Sequence, residues 1–267
     1  HIASVLAEQK NWDESVLGVS FDGTGYGDDG TTWGGEFFVG SLREGLERVA
    51  HLRPAVLPGG DAAAQYPVQA AAGFLFDMDA APDFTAHPFS FSQRYVQAAE
   101  LARKRVRASA TTSAGRLFDA VAALLGFTRE ITFEGQAAMW LEYLAGGSTS
   151  DGTYPFPFDA RELDYRPLLS AVITDRCTDI GIEVIARRFH RSFAAGVARA
   201  IRDLCAEHGL VTVVLSGGVF QNQILLFDLR EQFQSERIRL VINHAVPAND
   251  GGISLGQAAL AACEGGA

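Results

Sequence analysis

Two glycine-rich stretches and a few acidic side chains hold most of the chemistry available to this sequence. "LSGGVFQN" at 215–222 places paired glycines between an apolar run, Val211 to Leu215, and a stretch with helical spacing, Phe220 to Phe233. "DGTGYG" at 22–27 follows a second apolar run, "VLGVSF". A glycine turn that opens a helix offers free N–H groups and the positive end of the helix dipole, which together favour phosphate. A dinucleotide fingerprint needs GxGxxG between a strand and a helix, and a P-loop needs GxxxxGK followed by Ser or Thr. "DGTGYG" has the glycine spacing, but a β-rich segment follows it and no lysine stands in the loop, so neither motif applies. What remains is a hairpin turn able to form an anion-binding nest. It faces the second glycine turn, the two acting as a clamp from separate lobes.

Such a clamp is lined with acid: Asp22, Asp28 and Asp29 in the first turn and Asp250 near the end of the chain. A carboxylate about 4 Å from a phosphate charge costs roughly 1 kcal/mol in water and about 4 kcal/mol at an effective dielectric of 20. Acids beside a polyphosphate therefore call for a cation. With His1 as a nitrogen ligand and Asp22 and Asp250 as oxygen ligands, iron or zinc suits the set better than calcium.

The elements that must position these residues follow from periodicity. "VLGVSF" (16–21) and "FFVGSL" read as strands around the glycine turn, and 53–92 as loop with short helices. Helices are predicted over 115–125, stopped by Gly126, and over 134–145. The Gly, Ser, Thr and Pro stretch 146–157 reads as a linker or lobe boundary. From Ile182 to His208, Ile185, Phe189, Phe193, Val197, Ile201 and Leu204 recur every three or four residues, a long amphipathic helix closed by Gly209. Two strand–loop–helix units follow, with strands at 211–215 and 238–243. That alternation predicts an α/β fold with at least part of its sheet parallel. "HIASVLAEQ" has helical spacing but leaves no room for an N-cap, and reads as a cut instead of a natural beginning.

Composition narrows the function classes. A chain of 267 residues, 48% hydrophobic, can bury a full-sized core without metal or disulfide staples. A formal charge of −10 argues against a nucleic-acid footprint; the short basic cluster "RKRVR" at 103–107 reads as a solvated helical face. No apolar run approaches the ~18 residues of a membrane span, and no leader opens the chain. Cys177, Cys205 and Cys263 form no CxxC pair, which argues against a disulfide framework and a zinc ribbon and suits a reducing cytoplasm. All three read as small buried hydrophobes, none as a nucleophile. His190 reads as a helix-surface or core histidine.

"HIASVLAEQ", "FDGTGYGDDGTTWGGEFF", "LPGGDAAA", "TSAGRLFDAVAALLG", "FEGQAAMWLE", "LSGGVFQNQILL" and "PANDGGISLGQA" together resemble the carboxy-terminal carbamoyltransferase part of the hydrogenase-maturation protein HypF. That part is similar to the tRNA threonylcarbamoyladenosine synthase domain and, more distantly, to sugar kinases and actin. The resemblance spans the chain, and "DGTGYG" with "WGGE" points to the HypF branch. It implies an actin/sugar-kinase-like two-lobed α/β ATPase fold with the first lobe incomplete, residues 1–110 being its remainder and 111–267 the second lobe. It implies a metal held by an HxxxH pair and two aspartates, with His1 as the second histidine and Asp22 and Asp250 as the aspartates, these two also taking the catalytic role. The first histidine would stand four residues before His1. Gly217, Gly218 and Asn222 should touch nucleotide, Gly115 and Asp119 should reach its ribose, Gly23 and Thr24 should lie near phosphates, and Glu134 should face the same cleft. The implied reaction moves a carbamoyl group from carbamoyl-adenylate, made from ATP by upstream domains, to the terminal cysteine of a HypE-like partner. The implied cations are iron or zinc, with or without magnesium. Two other readings stay open: an O-carbamoyltransferase of natural-product assembly, and a non-catalytic nucleotide-binding or docking remnant.

Overall fold

The computed structural model describes residues 1–60, 62–76, 78 and 81–265; Asp61 of the "LPGGDAAA" stretch lies outside them. The chain runs α1 (Ile2–Glu8), β1 (Val16–Tyr26), β2 (Thr32–Ser41), β3 (Gly45–Leu52), β4 (Ala55–Pro58), α2 (Ala62–Gln65), α3 (Pro67–Phe74), α4 (Gln93–Lys104), β5 (Ala108–Thr111), α5 (Ala114–Leu125) and α6 (Gln136–Gly146). It continues through β6 (Phe158–Asp159), β7 (Glu162–Leu163), α7 (Tyr165–Cys177), α8 (Ile182–His208), β8 (Thr212–Ser216), α9 (Gln223–Phe233), β9 (Arg239–Ile242) and α10 (Ile253–Glu264). The fold is mixed α/β, around a sheet ordered β6-β7-β3-β2-β1-β8-β9, with β5 joining β2 and β4.

Strand alternation decides what covers each face of the sheet. Leu17, Val19, Phe21, Val213 and Leu215 point into the larger core with α3, α5, α6 and α8. Val16 and Val214 point the other way, into a smaller cluster closed by Ile2, Val5 and Leu6 of α1 and Ala259 of α10. Gly18 of β1 lies directly under Ile2, where any Cβ would overlap that side chain. This close approach seats α1, and with it His1, against the sheet.

β1 pairs in parallel with β8, Ser20 opposite Ser216, and β8 in parallel with β9. The boundary placed at residue 110 is thus crossed by one continuous sheet, and "DGTGYG" and "LSGG" come off neighbouring strands instead of opposed lobes. "DGTGY" itself is strand: β1 continues to Tyr26 through an irregularity between Phe21 and Gly25, and the hairpin turn falls at 27–31. Residues 147–157 are not a free linker. The Tyr154 amide donates to Ser192 Oγ (2.6 Å), and Phe156 is buried against α8. Of the basic cluster, only Arg103 and Lys104 are helical; Arg105 is left-handed and ends α4.

α8 runs from Ile182 to His208 and ends at Gly209 in the left-handed region, as the periodicity predicts. Every residue of α5 is buried, because it lies between the sheet and the surrounding helices. Phe193 of α8 contacts the rings of Phe21, Phe118 and Phe156 at centroid distances of 5.7, 5.1 and 5.3 Å. It therefore joins the central strand, α5 and the 147–157 segment. Phe193→Ala should lower unfolding free energy by about 3–5 kcal/mol, read as a shifted midpoint in urea at unchanged slope.

Candidate functional site

The carboxyl ends of the adjacent parallel strands β1 and β8 form one end of the site. Asp22 is a buried carboxylate there, and its Oδ1 accepts from the amides of Gly23 (2.8 Å) and Gly218 (3.3 Å). One acid thus ties together the two glycine stretches. Its Oδ2 lies 2.8 Å from His1 Nε2, which stands 3.8 Å from Asp250 Oδ1. His1, Asp22 and Asp250 present ligand atoms all within 4.8 Å of one another.

Both ends of α1 serve this cluster. At its start, Ser4 donates to the His1 carbonyl (2.6 Å) and accepts from Asn243, which in turn accepts from Ser216 at the end of β8. At its end, the Glu8 carboxylate accepts from the amides of His244, Ala245 and Val246, fixing the loop that leads to Asp250. Burial opposes ionisation of both His1 and Asp22, yet their mutual hydrogen bond and charge outweigh it. The imidazole is therefore held above its ordinary pKa and the Asp22 carboxyl below. Asp250 is raised, first by partial burial and then by the Asp22 charge. His1 Nδ1 is buried without a hydrogen bond of standard geometry, although the Ala248 carbonyl favours the protonated ring.

From this cluster a cleft of about 610 Å³ extends between α5, α6 and α9, a size suited to a small-molecule ligand. Three helices direct their N-termini at it: Gly115 and Arg116 begin α5, Gly135 caps α6, and Asn222 caps α9. Phe118, Phe133, Ala138, Met139 and Val219 give the remaining wall an apolar surface. Helix N-termini and apolar side chains in one lining suit a ligand with an anionic and an apolar part.

Of the residues singled out in the sequence, Asp22, Gly23, Gly115, Asp119, Glu134, Gly218 and Asn222 line this cleft, and His1 and Asp250 join Asp22 at its end. Gly115 packs against β1, since a Cβ there would come within 2.7 Å of Gly23 Cα. Ser113, the N-cap of α5, donates to the carbonyls of Asp22 and Gly23 and completes the seam. Gly217 does not line the cleft. Its amide donates to the Ala248 carbonyl (2.9 Å), and its φ of +102° together with the overlying Phe21 carbonyl demands glycine. Thr24 is exposed on β1 outside the cleft wall. Asp28 and Asp29 sit exposed at the hairpin instead of lining the site, where Asp29 accepts from Thr31 and Trp33. Cys177 is exposed, not a buried hydrophobe.

Two contributors escape sequence reasoning. Arg116 lines the cleft beside Gly23; its signal was a charge that, with Asp119, interrupts a helix of apolar residues. His190 is fully buried and does have partners: its Nδ1–H donates to the Ala186 carbonyl (2.8 Å), and its Nε2 accepts from Asn222 Nδ2 (2.9 Å). Asn222 Oδ1 meanwhile accepts from Leu225 N, so both ends of the carboxamide are fixed. No local pattern joins residues 32 positions apart.

The fold and site define a class: an α/β domain with a cleft at the carboxyl ends of parallel strands, faced by three helix N-termini, and a cluster of one histidine and two aspartates beside it. The family described as "Carbamoyltransferase, Kae1-like Domain, second subdomain" matches residues 18–257, and the chain belongs to it. It is 38% identical over 271 residues to "Carbamoyltransferase HypF" of Rhodobacter capsulatus and 35% identical over 278 to that of Synechocystis sp., covering 99% and 96% of this chain. It spans 35% of the length of each. A crystal structure of full-length HypF in the phosphate- and nucleotide-bound form superposes with a TM-score of 0.87 at 37% identity, over 98% of this chain and 41% of that one. The Kae1-like fold is therefore established for this chain.

Burial pushes His190 down to about 4 from an ordinary 6.5. The unfolded chain binds the extra proton between these values, so His190 contributes stability above pH 6.5 that is lost as pH falls toward 4. Relative to His190→Gln, the wild type should lose about 3 kcal/mol between pH 7 and pH 4, measured by urea unfolding across that range. A flat difference would contradict a buried neutral imidazole.

Proposed function

We propose that this chain carries the group-transfer half of a carbamoyltransferase, delivering the carbamoyl group of carbamoyl-adenylate to the C-terminal cysteine of a HypE-like protein in nickel–iron hydrogenase maturation. The observation that carries this reading is the meeting of His1, Asp22 and Asp250 with three helix N-termini at one cleft. The family membership and the "Carbamoyltransferase HypF" relatives support it. Among the described residues no helix is long and apolar enough to cross a membrane; a cytoplasmic setting goes with the proposed pathway.

His1, Asp22 and Asp250 would hold a divalent cation, iron or zinc, with or without magnesium at the nucleotide. One imidazole and two carboxylates fit such an ion, and His1 Nε2 would give up the proton it shares with Asp22. The ion would supply Lewis-acid stabilisation of charge on the phosphoryl group. The chain's own residues do the positioning. Gly23, Gly115, Gly218 and Asn222 shape the cleft around the nucleotide, and the N-termini of α5 and α9 favour its anionic part. Phe133, Met139 and Val219 offer the base an apolar surface. The acceptor thiolate attacks the carbamoyl carbon, the bond from that carbon to the phosphate oxygen breaks, and AMP leaves with the electron pair. A thiolate needs little help from a general base near neutral pH.

The test uses the whole protein that carries this chain, supplied with ATP, carbamoyl phosphate and a cysteine-terminated acceptor peptide, or with a small hydroxylated acceptor. Mass spectrometry should find one carbamoyl group on the terminal cysteine. Asp22→Asn should slow transfer at least about 100-fold, the equivalent of several kcal/mol of charge stabilisation. Carbamoylation of the hydroxylated acceptor alone would reassign the enzyme, and transfer to neither would mark a binding or docking module.

A further inference from the structure

On one side, β1 outruns its neighbour. Among the described residues it pairs only with β2 and β8, and its pairing with β8 stops at Ser20, opposite Ser216. Gly217 then lies against the Phe21 backbone and the Gly218 amide closes on Asp22 Oδ1. From Thr24 to Tyr26 the strand has β2 alone beside it. The Thr32 carbonyl, opposite Tyr26, accepts from Thr112 N (3.0 Å) and Thr111 Oγ1 (2.9 Å) at β5, on the far side of β2. The next pair outward is joined by Gly27 N donating to the Thr31 carbonyl (3.0 Å). Tyr26 and Thr32 are therefore a pair that exchanges no hydrogen bond, and the N–H and C=O of Tyr26 point away from β2. The Tyr26 side chain is 92% exposed, and Thr24 to Tyr26 carries neither a proline nor a charge. Open strand edges are normally blunted in one of those ways or covered. The hairpin is also braced, and only from β2 and β3: Asp29 Oδ1 accepts from Thr31 N (2.9 Å) and Trp33 Nε1 (3.0 Å), while Arg48 stacks 4.1 Å from the Trp33 ring centroid and reaches Glu36.

We propose that the outer edge of β1, from Thr24 to Tyr26, receives the C-terminal segment of the acceptor as an added antiparallel strand, which lays its terminal cysteine beside Asp22. This rests on the transfer reading above and names where the acceptor docks. Two features of the edge select a chain end. The edge is closed at its inner end, because Gly217 and Gly218 already occupy the place beside Phe21 and Asp22, so a strand running inward from Tyr26 must stop there. It also stops at the His1, Asp22 and Asp250 cluster and the mouth of the cleft, where the group to be transferred would lie. A segment that enters with its C-terminus foremost runs opposite to β1, which makes the pairing antiparallel. About four residues of added strand cover the roughly 13 Å from Tyr26 to Asp22. Main-chain hydrogen bonds supply the affinity in this mode of recognition, and the Tyr26 ring offers one face of the peptide an apolar contact.

The whole protein that carries this chain would be titrated, by fluorescence anisotropy, with a labelled peptide of about ten residues ending in the acceptor cysteine. A matching set would carry one N-methylated backbone amide at a time. Methylation at alternate positions over about the last four residues should weaken binding at least about tenfold, and the positions between should bind like the parent peptide. The Tyr26→Pro variant, which removes an N–H that β2 does not use, should raise the KM for the peptide at least about tenfold, with the loss in KM and not in kcat. The Tyr26 amide should exchange quickly in the free protein and slowly with the peptide present. A flat methylation scan would overturn the edge assignment, as would an unchanged KM in Y26P. So would a Tyr26 amide already protected in the free protein, whether by another segment of the whole protein or by a second copy. The two readings fail separately. Carbamoylation of the peptide with a flat scan keeps the transfer reading and removes the edge, whereas alternating binding without carbamoyl transfer keeps the edge and sinks the transfer. A peptide neither bound nor carbamoylated would end both.

Discussion

The Asp22 carboxylate organises everything around it. One oxygen gathers the amides of Gly23 and Gly218, which come from the ends of β1 and β8, and the other meets His1 from α1. Without that acid, the two glycine stretches would be separate turns, and the His1 ring would lose its anchor in the sheet. The constraint is geometric before it is electrostatic. Parallel neighbours end at the same edge, so whatever leaves their carboxyl ends shares a crevice, the usual ligand position in open α/β sheets.

The surrounding structure maintains that edge. Glu8 spends its carboxylate on three consecutive loop amides, and the Ser4, Asn243 and Ser216 side chains link α1, β9 and β8. On the cleft side, Ser113 fastens α5 to the carbonyls of Asp22 and Gly23, while the buried Glu36 accepts from Gly34, Gly35, Thr112 and Arg48 and holds β2 in place beneath them. His190, through Asn222, does the same for the start of α9. These polar groups are buried or half-buried, and their hydrogen bonds fix the walls of the site.

Much of the fold was legible where one physical signal dominated. The apolar spacing of Ile185 through Leu204 and the terminal Gly209 gave α8 at its observed limits, and Val213, Val214 and Leu215 marked a buried strand. Short strands such as β4 to β7 carry two to four residues each and too little pattern to read. β3 is half exposed, with Glu47 and Arg48 inside it, and α7 mixes apolar and charged positions. The site was legible as residue types: His1, Asp22, Gly218 and Asn222 were named from motifs. Its arrangement was not. The sequence suggested opposed lobes, because two glycine turns 190 positions apart do not reveal that their strands are neighbours. Arg116 and His190 depend on contacts that exist only once α5, α8 and α9 have packed.

One imidazole and two carboxylates at this strand edge would together form a single cation site. Anomalous scattering at the zinc or iron absorption edge, from crystals of the protein grown with that metal, would locate the ion. One peak is expected within bonding distance of His1 Nε2 and of carboxylate oxygens of Asp22 and Asp250. A peak bound elsewhere, with the His1–Asp22 hydrogen bond intact, would contradict it.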